Sequence, residues 1–233
     1  MKVFGVLEAS TPTAYRSRAL GLAKTGVDGI YVRSRVPGPF NTVAEAVPHL
    51  PVGVNLPMTN ATDSFRAFLD YTMSKGFSRL PDAFWTDDIS TENRAGSIVA
   101  FKNGQHVLQG VRCLGGVAYR GSATFTERPD QAFRFMRAYA GSVDTAVTSG
   151  SSEEILPRPE KLEAMRRKKG SIALVARLPV AHDRIGDYAP FVDEVLLPVS
   201  SPTDKFPGLR DPRRIEHFIE AAHSFVTEEV APK

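Results

Sequence analysis

A chain of 233 residues with 42% hydrophobic and 24% charged content is long enough for one large α/β domain and has ordinary globular composition. The net charge of +3 is small, and bases alternate with acids in EAMRRKK (163–169) and DPRRIEH (211–217), so nucleic-acid binding is not implied. No apolar run approaches the roughly 20 residues of a membrane helix. Cys113, the single cysteine, permits neither an internal disulfide nor a cysteine-based metal site, so a reduced, cytoplasmic setting is expected.

Short apolar runs alternate with longer amphipathic segments along the whole chain. KVFGVLEA (2–9) reads as a strand and 14–27 as a helix stopped by Gly26. DGIYVRSR (28–35) is a strand, 42–50 a short helix, and PVGVNLPM (51–58) a strand. A helix over 62–76, capped by Thr62 or Asp63, leads to the strand DAFWTDDI (82–89). Asn103-Gly104 signals a hairpin within 97–110. VRCLGGVAY (111–119) is a strand, 128–140 a helix, VDTAVTSG (143–150) a strand, and 159–169 a helix opened by proline. SIALVARL (171–178) is a strand, 183–191 a short helix, VDEVLLPVS (192–200) a strand, and 211–226 a closing helix.

Eight mostly continuous apolar strands, each followed by something helical, predict a parallel sheet buried on both faces. In this length that pattern predicts one (βα)8 TIM barrel over 1–233, with the 96–110 hairpin inserted before strand five. An open doubly wound sheet is the alternative. It is disfavoured because KVFGVLEAS offers one glycine where a dinucleotide fold wants GxGxxG.

Barrel active sites lie at the C-terminal strand ends. Those ends carry Glu8 and Ser10, Arg33 and Arg35, Asn55, then Trp85 through Asp88, Tyr119 and Arg120, Thr148 to Gly150, Arg177, and Ser200 with Ser201. Several arginines, a few acids and hydroxyls suit a small anionic ligand, because guanidinium grips carboxylate or phosphate in a bidentate way. The expected assignment has Glu8 and Asp87 transferring protons. Arg33, Arg35 and Arg177 bind the anion, and Asn55 orients it. Tyr119, Arg120, Thr148, Ser149 and Ser200 complete the lining. Asp87 and Asp88 are neighbours and should face apart. Trp85 either stacks on a ligand or fills the core, and Tyr119 and Arg120 face the same choice. Gly115-Gly116 leaves room for close packing or for ligand.

No strand end shows the lysine of a Schiff-base aldolase; Lys102 and Lys205 fall in loops or the hairpin. The five histidines, His49, His106, His182, His217 and His223, are not at strand ends, which disfavours zinc. A magnesium ion on Asp87, Asp88 and a substrate phosphate stays open. No cofactor motif is present and none is expected. Cys113 reads as a buried apolar residue. The first hypothesis is therefore an enzyme of lyase, isomerase or glycosyl-cleaving type. The second is a non-catalytic barrel acting as a binding protein or assembly factor. The 96–110 hairpin offers either one a surface for homo-oligomers.

The segments VGVNLPMTNA (52–61), DAFWTDDIS (82–90), LGGVAYR (114–120), VDTAVTSG (143–150), PEKLEAMR (159–166), YAPFVDEVLLPVS (188–200) and DPRRIEHF (211–218) follow one another in an order that resembles the BtpA-like family of (βα)8 barrels. The resemblance implies a ribulose-phosphate-binding-type barrel with glycine-rich ends on strands six to eight. This chain departs from that pattern. Gly150 survives, but Ser151-Ser152-Glu153-Glu154 stands where the family has PGTG. Ala176-Arg177-Leu178 and Pro198-Val199-Ser200 stand where small, glycine-bearing ends are expected. These changes crowd the implied phosphate cradle, and Pro198 removes a donor.

Overall fold

The computed structural model describes residues 1–34, 36, 38–55, 66, 68–71, 74, 79–89, 110–152, 155–168, 170–176, 184–200 and 212–225. Eight parallel strands close into a barrel in chain order. They are β1 (Lys2–Leu7), β2 (Gly29–Arg33), β3 (Val52–Asn55), β4 (Ala83–Thr86), β5 (Arg112–Gly116), β6 (Thr145–Thr148), β7 (Ser171–Val175) and β8 (Glu194–Ser200). β1 pairs with both β2 and β8, which closes the ring. The expected (βα)8 TIM barrel is the architecture found. The 96–110 hairpin and most of the 62–76 helix lie outside the described residues; those described in the latter, 66, 68–71 and 74, are helical.

Around the barrel run α1 (Pro12–Ala23), α2 (Gly38–Ala46), α3 (Pro129–Tyr139), α4 (Pro159–Arg166), α5 (Ile185–Tyr188) and α6 (Pro212–Ser224). Four of these open on proline, whose missing N–H costs nothing in a first turn. Thr11 caps α1 by accepting the Ala14 N–H at 3.2 Å. α2 ends at Ala46 rather than at residue 50, as the sequence had suggested. Pro48 cannot donate into a helix and disfavours helical backbone at the residue before it. α6 buries Ile215, Phe218, Ile219 and Ala222, the i, i+3, i+4, i+7 stripe of a helix lying on a sheet.

Inward and outward side chains alternate along each strand. From β1, Val3 and Leu7 pack outward toward the helices, while Phe4 and Val6 enter the lumen. The lumen is filled by matching large residues with glycines on the next strand. Phe4 stands opposite Gly29 and Tyr31 opposite Gly53. A Cβ on Gly29 would come within 2.8 Å of the Phe4 ring and of the Pro51 carbonyl oxygen, and one on Gly53 would run into the Tyr31 ring. Phe4, Tyr31, Trp85 and Tyr119 follow one another edge to face, with centroids 5.5, 6.0 and 6.1 Å apart. This aromatic chain separates the two poles of the barrel.

The N-terminal pole is built on a repeated aspartate. Asp28, Asp82, Asp144 and Asp193 each directly precede an even-numbered strand. Their Oδ2 atoms accept the N–H groups of Val3, Val52, Cys113 and Ile172 on the preceding odd strands, at 2.7, 2.8, 2.6 and 2.8 Å. The N–H of each aspartate donates back to the carbonyl of the same residue. Each thereby ties off an N–H within the first two residues of a strand, a group that would otherwise be left without a ladder partner. At the opposite end β8 carries a bulge. Val6 pairs with Pro198 but Leu7 pairs with Ser200, because Pro198 has no N–H to continue the ladder.

Candidate active site

The C-terminal ends of β2, β3 and β4 bring three polar side chains into direct contact. Arg33 Nη2 donates to Asp87 Oδ2 at 3.0 Å, and Asn55 Nδ2 donates to Asp87 Oδ1 at 3.0 Å and to the Trp85 carbonyl at 3.1 Å. Asp87 thus has both oxygens engaged. The two bonds from Nδ2 fix the Asn55 amide, and its Oδ1 is buried without a partner. Tyr119, in the loop after β5, lies close enough to Arg33 for each to act on the other's ionisation. Arg33 is not buried completely: a third of its side chain remains exposed.

Local packing explains why these groups meet. Gly116 has no room for a side chain, since a Cβ there would fall on the Asp87 carbonyl oxygen. The glycine lets the chain after β4 lie against β5 and turns Asp87 toward Arg33. Gly115 is equally tight, with Val143 and Ile89 within 2.9 Å of the position a Cβ would take, so the Gly-Gly pair serves close packing. From the other side, the Tyr15 hydroxyl of α1 donates to the Arg33 carbonyl at 2.7 Å and holds the end of β2. Asp88 faces away, as alternation requires, and accepts the Ala123 N–H at 2.9 Å. The two carboxylates therefore do not converge on one ion.

The electrostatics follow from this geometry. Burial opposes the charge of Arg33, but Asp87, Tyr119 and Glu8 outweigh it and hold the guanidinium above its ordinary value. Burial, reinforced by Asp87, pushes the Tyr119 hydroxyl up to about 12, so it stays protonated at neutral pH. Glu8 lies just past β1, is exposed, and acts on Arg33 through its charge. Its carbonyl accepts from Arg18 Nη1 at 2.6 Å.

Arg33, Asn55 and Asp87 therefore form one hydrogen-bonded cluster at the barrel mouth, with Tyr119 and Glu8 near enough to act on Arg33. Trp85 is 1% exposed and lies in the lumen between Tyr31 and Tyr119, with its Nε1 unpartnered; it floors the mouth rather than offering a face at the rim. Thr148 is not brought to this cluster. It is fully buried, and its hydroxyl donates to the Ala118 carbonyl at 3.2 Å. The Ser149 hydroxyl accepts the Arg120 N–H at 2.9 Å, so Ser149 and the half-buried Arg120 belong to the support of the 117–127 loop. Arg35 and Arg177 lie outside the described residues, as does the side chain of Ser200, whose backbone ends β8. Cys113 is buried as expected. His49 and His217 are exposed, and His223 pairs with Asp28 at 2.9 Å; His106 and His182 lie outside the described residues.

The surviving glycine of the implied phosphate cradle has a different partner. A Cβ on Gly150 would fall on the Ile155 carbonyl oxygen, so the returning loop occupies the space the glycine leaves.

One buried residue escaped the sequence reading. Lys161, on the first turn of α4, is 0% exposed. Its Nζ donates to the carbonyls of Ala118 at 2.9 Å and Ser149 at 2.8 Å and to Glu127 Oε1 at 3.3 Å. Burial pushes its pKa down to about 8, against the pull of Glu127. A signal was present: residues 161 and 165 share a helix face, and Met165 is buried, so a lysine stands on the apolar stripe. A cation in a first helical turn also opposes the helix dipole.

A closed (βα)8 barrel with a polar cluster at its C-terminal mouth defines the class of the chain. No family model matches it, and no curated protein does. Among solved structures, a native KDPGal structure is similar over 97% of this chain and 96% of its own, at 12% identity and a TM-score of 0.64. Orotidine 5'-phosphate decarboxylase from Pyrococcus horikoshii OT3 is similar over 94% of this chain and 99% of its own, at 13% identity and 0.61. A cube-shaped, highly porous cage designed by fusing symmetric oligomeric domains matches 97% of this chain and 73% of its own, at 11% identity and 0.62. At these identities the likeness is one of fold. Of the BtpA-like resemblance, the comparisons carry the barrel and not the family.

Proposed function

We propose that the protein is an enzyme that acts on a small anionic metabolite at the C-terminal mouth, by general acid/base chemistry of the lyase, isomerase or glycosyl-cleaving kind. The observation that carries this reading is the Arg33–Asp87–Asn55–Tyr119 cluster with Arg33 left partly exposed. Arg33 supplies the charge and free N–H groups for a carboxylate or phosphate. Asp87 and Glu8 flank it and carry protons, Asn55 fixes the Asp87 carboxylate, and the neutral Tyr119 hydroxyl donates or accepts beside them. Arg35, Arg177 and Ser200 extend the anion grip in this proposal. The chain would be a diverged BtpA-like barrel in which side-chain guanidinium replaces glycine backbone as the anion donor.

Mass spectrometry of the denatured protein tests the reading. An anionic metabolite should be released from the wild type and lost in Arg33→Ala. Asp87→Asn should keep the ligand, while turnover falls by roughly 10²- to 10⁴-fold. Turnover unchanged in the Glu8→Gln/Asp87→Asn double variant would refute the proton carriers.

A second reading, a binding protein or assembly factor, draws on the covered Gly150 and on Ile155 and Phe125, apolar side chains exposed on rim loops. No released ligand, and no thermal stabilisation by sugar phosphates or nucleotides, would favour it.

A further inference from the structure

Lys161 has no part in the proposed chemistry, yet it is tied to the loop that delivers Tyr119. The ammonium offers three N–H donors, and three oxygens surround it: the carbonyl of Ala118 before Tyr119, the carbonyl of Ser149 after β6, and the carboxylate of Glu127 where the loop ends. The Phe125 ring covers it at 5.3 Å. Ala118 has a φ of 50°, the left-handed region that a residue with a Cβ enters at a cost. It stays there because its two backbone groups are held. Its N–H donates to Thr124 Oγ1 at 3.2 Å, and its carbonyl accepts from Lys161 and Thr148. The next residue, Tyr119, lies beside Arg33 and packs on Trp85.

We propose that the Lys161 ammonium is a positioning residue for the mouth, holding Ala118 in its left-handed conformation and thereby Tyr119 against Arg33, so that the mouth is assembled while Lys161 is charged and loosens when it is not. A neutral amine has two N–H donors and a lone pair. The lone pair cannot face an oxygen, so one of the three acceptors loses its partner. The charge that balances the ammonium is Glu127. Tyr188, on the neighbouring α5, donates its hydroxyl to the Pro157 carbonyl at 2.9 Å, and its pKa is raised by burial. Arg184, Asp187 and Glu160 act on Tyr188. The inference rests on the mouth cluster described above but not on its chemistry, and its test needs no substrate.

Trp85 is the single tryptophan and touches Tyr119, so its fluorescence reports the mouth directly. The lysine's value of about 8 sets the window of the test, about pH 7 to 9. On raising the pH through that window, wild-type emission should move to longer wavelength as the mouth loosens. Glu127→Gln should move the midpoint to lower pH, because Glu127 favours the charged lysine. Lys161→Met should be shifted at every pH and flat across the window. Global stability should change in the opposite sense. The unfolded chain keeps this proton to its ordinary 10.5 and the folded chain only to about 8, so between those values the wild type gains stability with pH relative to Lys161→Met. A wild-type emission that is flat, or a Lys161→Met profile identical to the wild type's, would overturn the proposal. Loss of ligand binding in Arg33→Ala would be untouched by that result, which separates the two readings.

Discussion

Replacing Asp193 with alanine tests whether the four aspartates hold the N-terminal pole together. Asp193 Oδ2 accepts the Ile172 N–H at 2.8 Å, and Arg166 grips the same carboxylate at 2.7 and 3.1 Å. A hydrogen bond to a charged acceptor contributes about 1.5–3 kcal/mol. The ion pair adds less, because both side chains are over a third exposed and solvent screens them, so about 0.2–1 kcal/mol is appropriate. Asp193→Ala should therefore cost roughly 2–4 kcal/mol, whereas Asp193→Asn, which keeps an acceptor, should cost about half as much. Glu163→Ala is the control. Its ion pair with Arg167 is 3.7 Å long and more than half exposed, and it should fall within about 0.5 kcal/mol of wild type. Urea unfolding midpoints at a common slope measure the differences, and amide exchange at Ile172 localises them. An Asp193→Ala cost no larger than that of Glu163→Ala would refute the clamp.

Two further perturbations probe the lumen and the mouth. The Tyr31 hydroxyl is buried without a partner, and burial raises its pKa well above the ordinary value, so it is an unsatisfied neutral group. Tyr31→Phe should stabilise the barrel by about 1 kcal/mol, seen as a higher melting temperature; a loss of stability would show that the hydroxyl supports the Arg112–Glu194 pair. Gly150→Ala should force the Ile155 backbone away, costing roughly 1–3 kcal/mol and exposing the 151–155 loop to limited proteolysis. Wild-type resistance in that variant would mean that the loop does not depend on the glycine.

Architecture was legible because the strands are short, continuous apolar runs separated by amphipathic segments, and both faces of a barrel strand are buried. Strand ends were less legible. VRCLGGVAY stays apolar to residue 119, but β5 stops at Gly116 because Ala118 turns into the left-handed region. That turn, and not a longer strand, brings Tyr119 to Arg33. Parity decided the fate of VDTAVTSG: Thr148 and Ser149 look alike in a sequence, yet Thr148 is turned to the Ala118 carbonyl. Arg33 and Asn55 were readable because each ends a strand, and Asp87 because it directly follows one. Lys161 was not, because its helix reads as charged and its buried face shows only when 161 and 165 are aligned. The Val/Pro-Asp pairs at 27–28, 81–82, 143–144 and 192–193 repeat before alternate strands and were legible in principle. An aspartate beside a strand otherwise reads as a turn.

The two poles use charge in opposite ways. At the N-terminal pole, aspartates are consumed by backbone N–H groups, and Arg112 bridges Glu194 and Thr145, so charge there is converted into register and closure. At the C-terminal pole the backbone groups near the mouth are held by side chains from outside it: Tyr15 on the Arg33 carbonyl, Lys161 and Thr148 on Ala118, Ser149 on Arg120. That leaves the Asp87 carboxylate bonded to the side chains of Arg33 and Asn55 rather than to the main chain. Side chains bonded only to one another can exchange partners when an anion arrives, at the cost of one hydrogen bond and not of a strand. In the proposed function such a mouth takes up an anion without a break in the strand ladder, and the aromatic chain lies between it and the aspartates of the other pole.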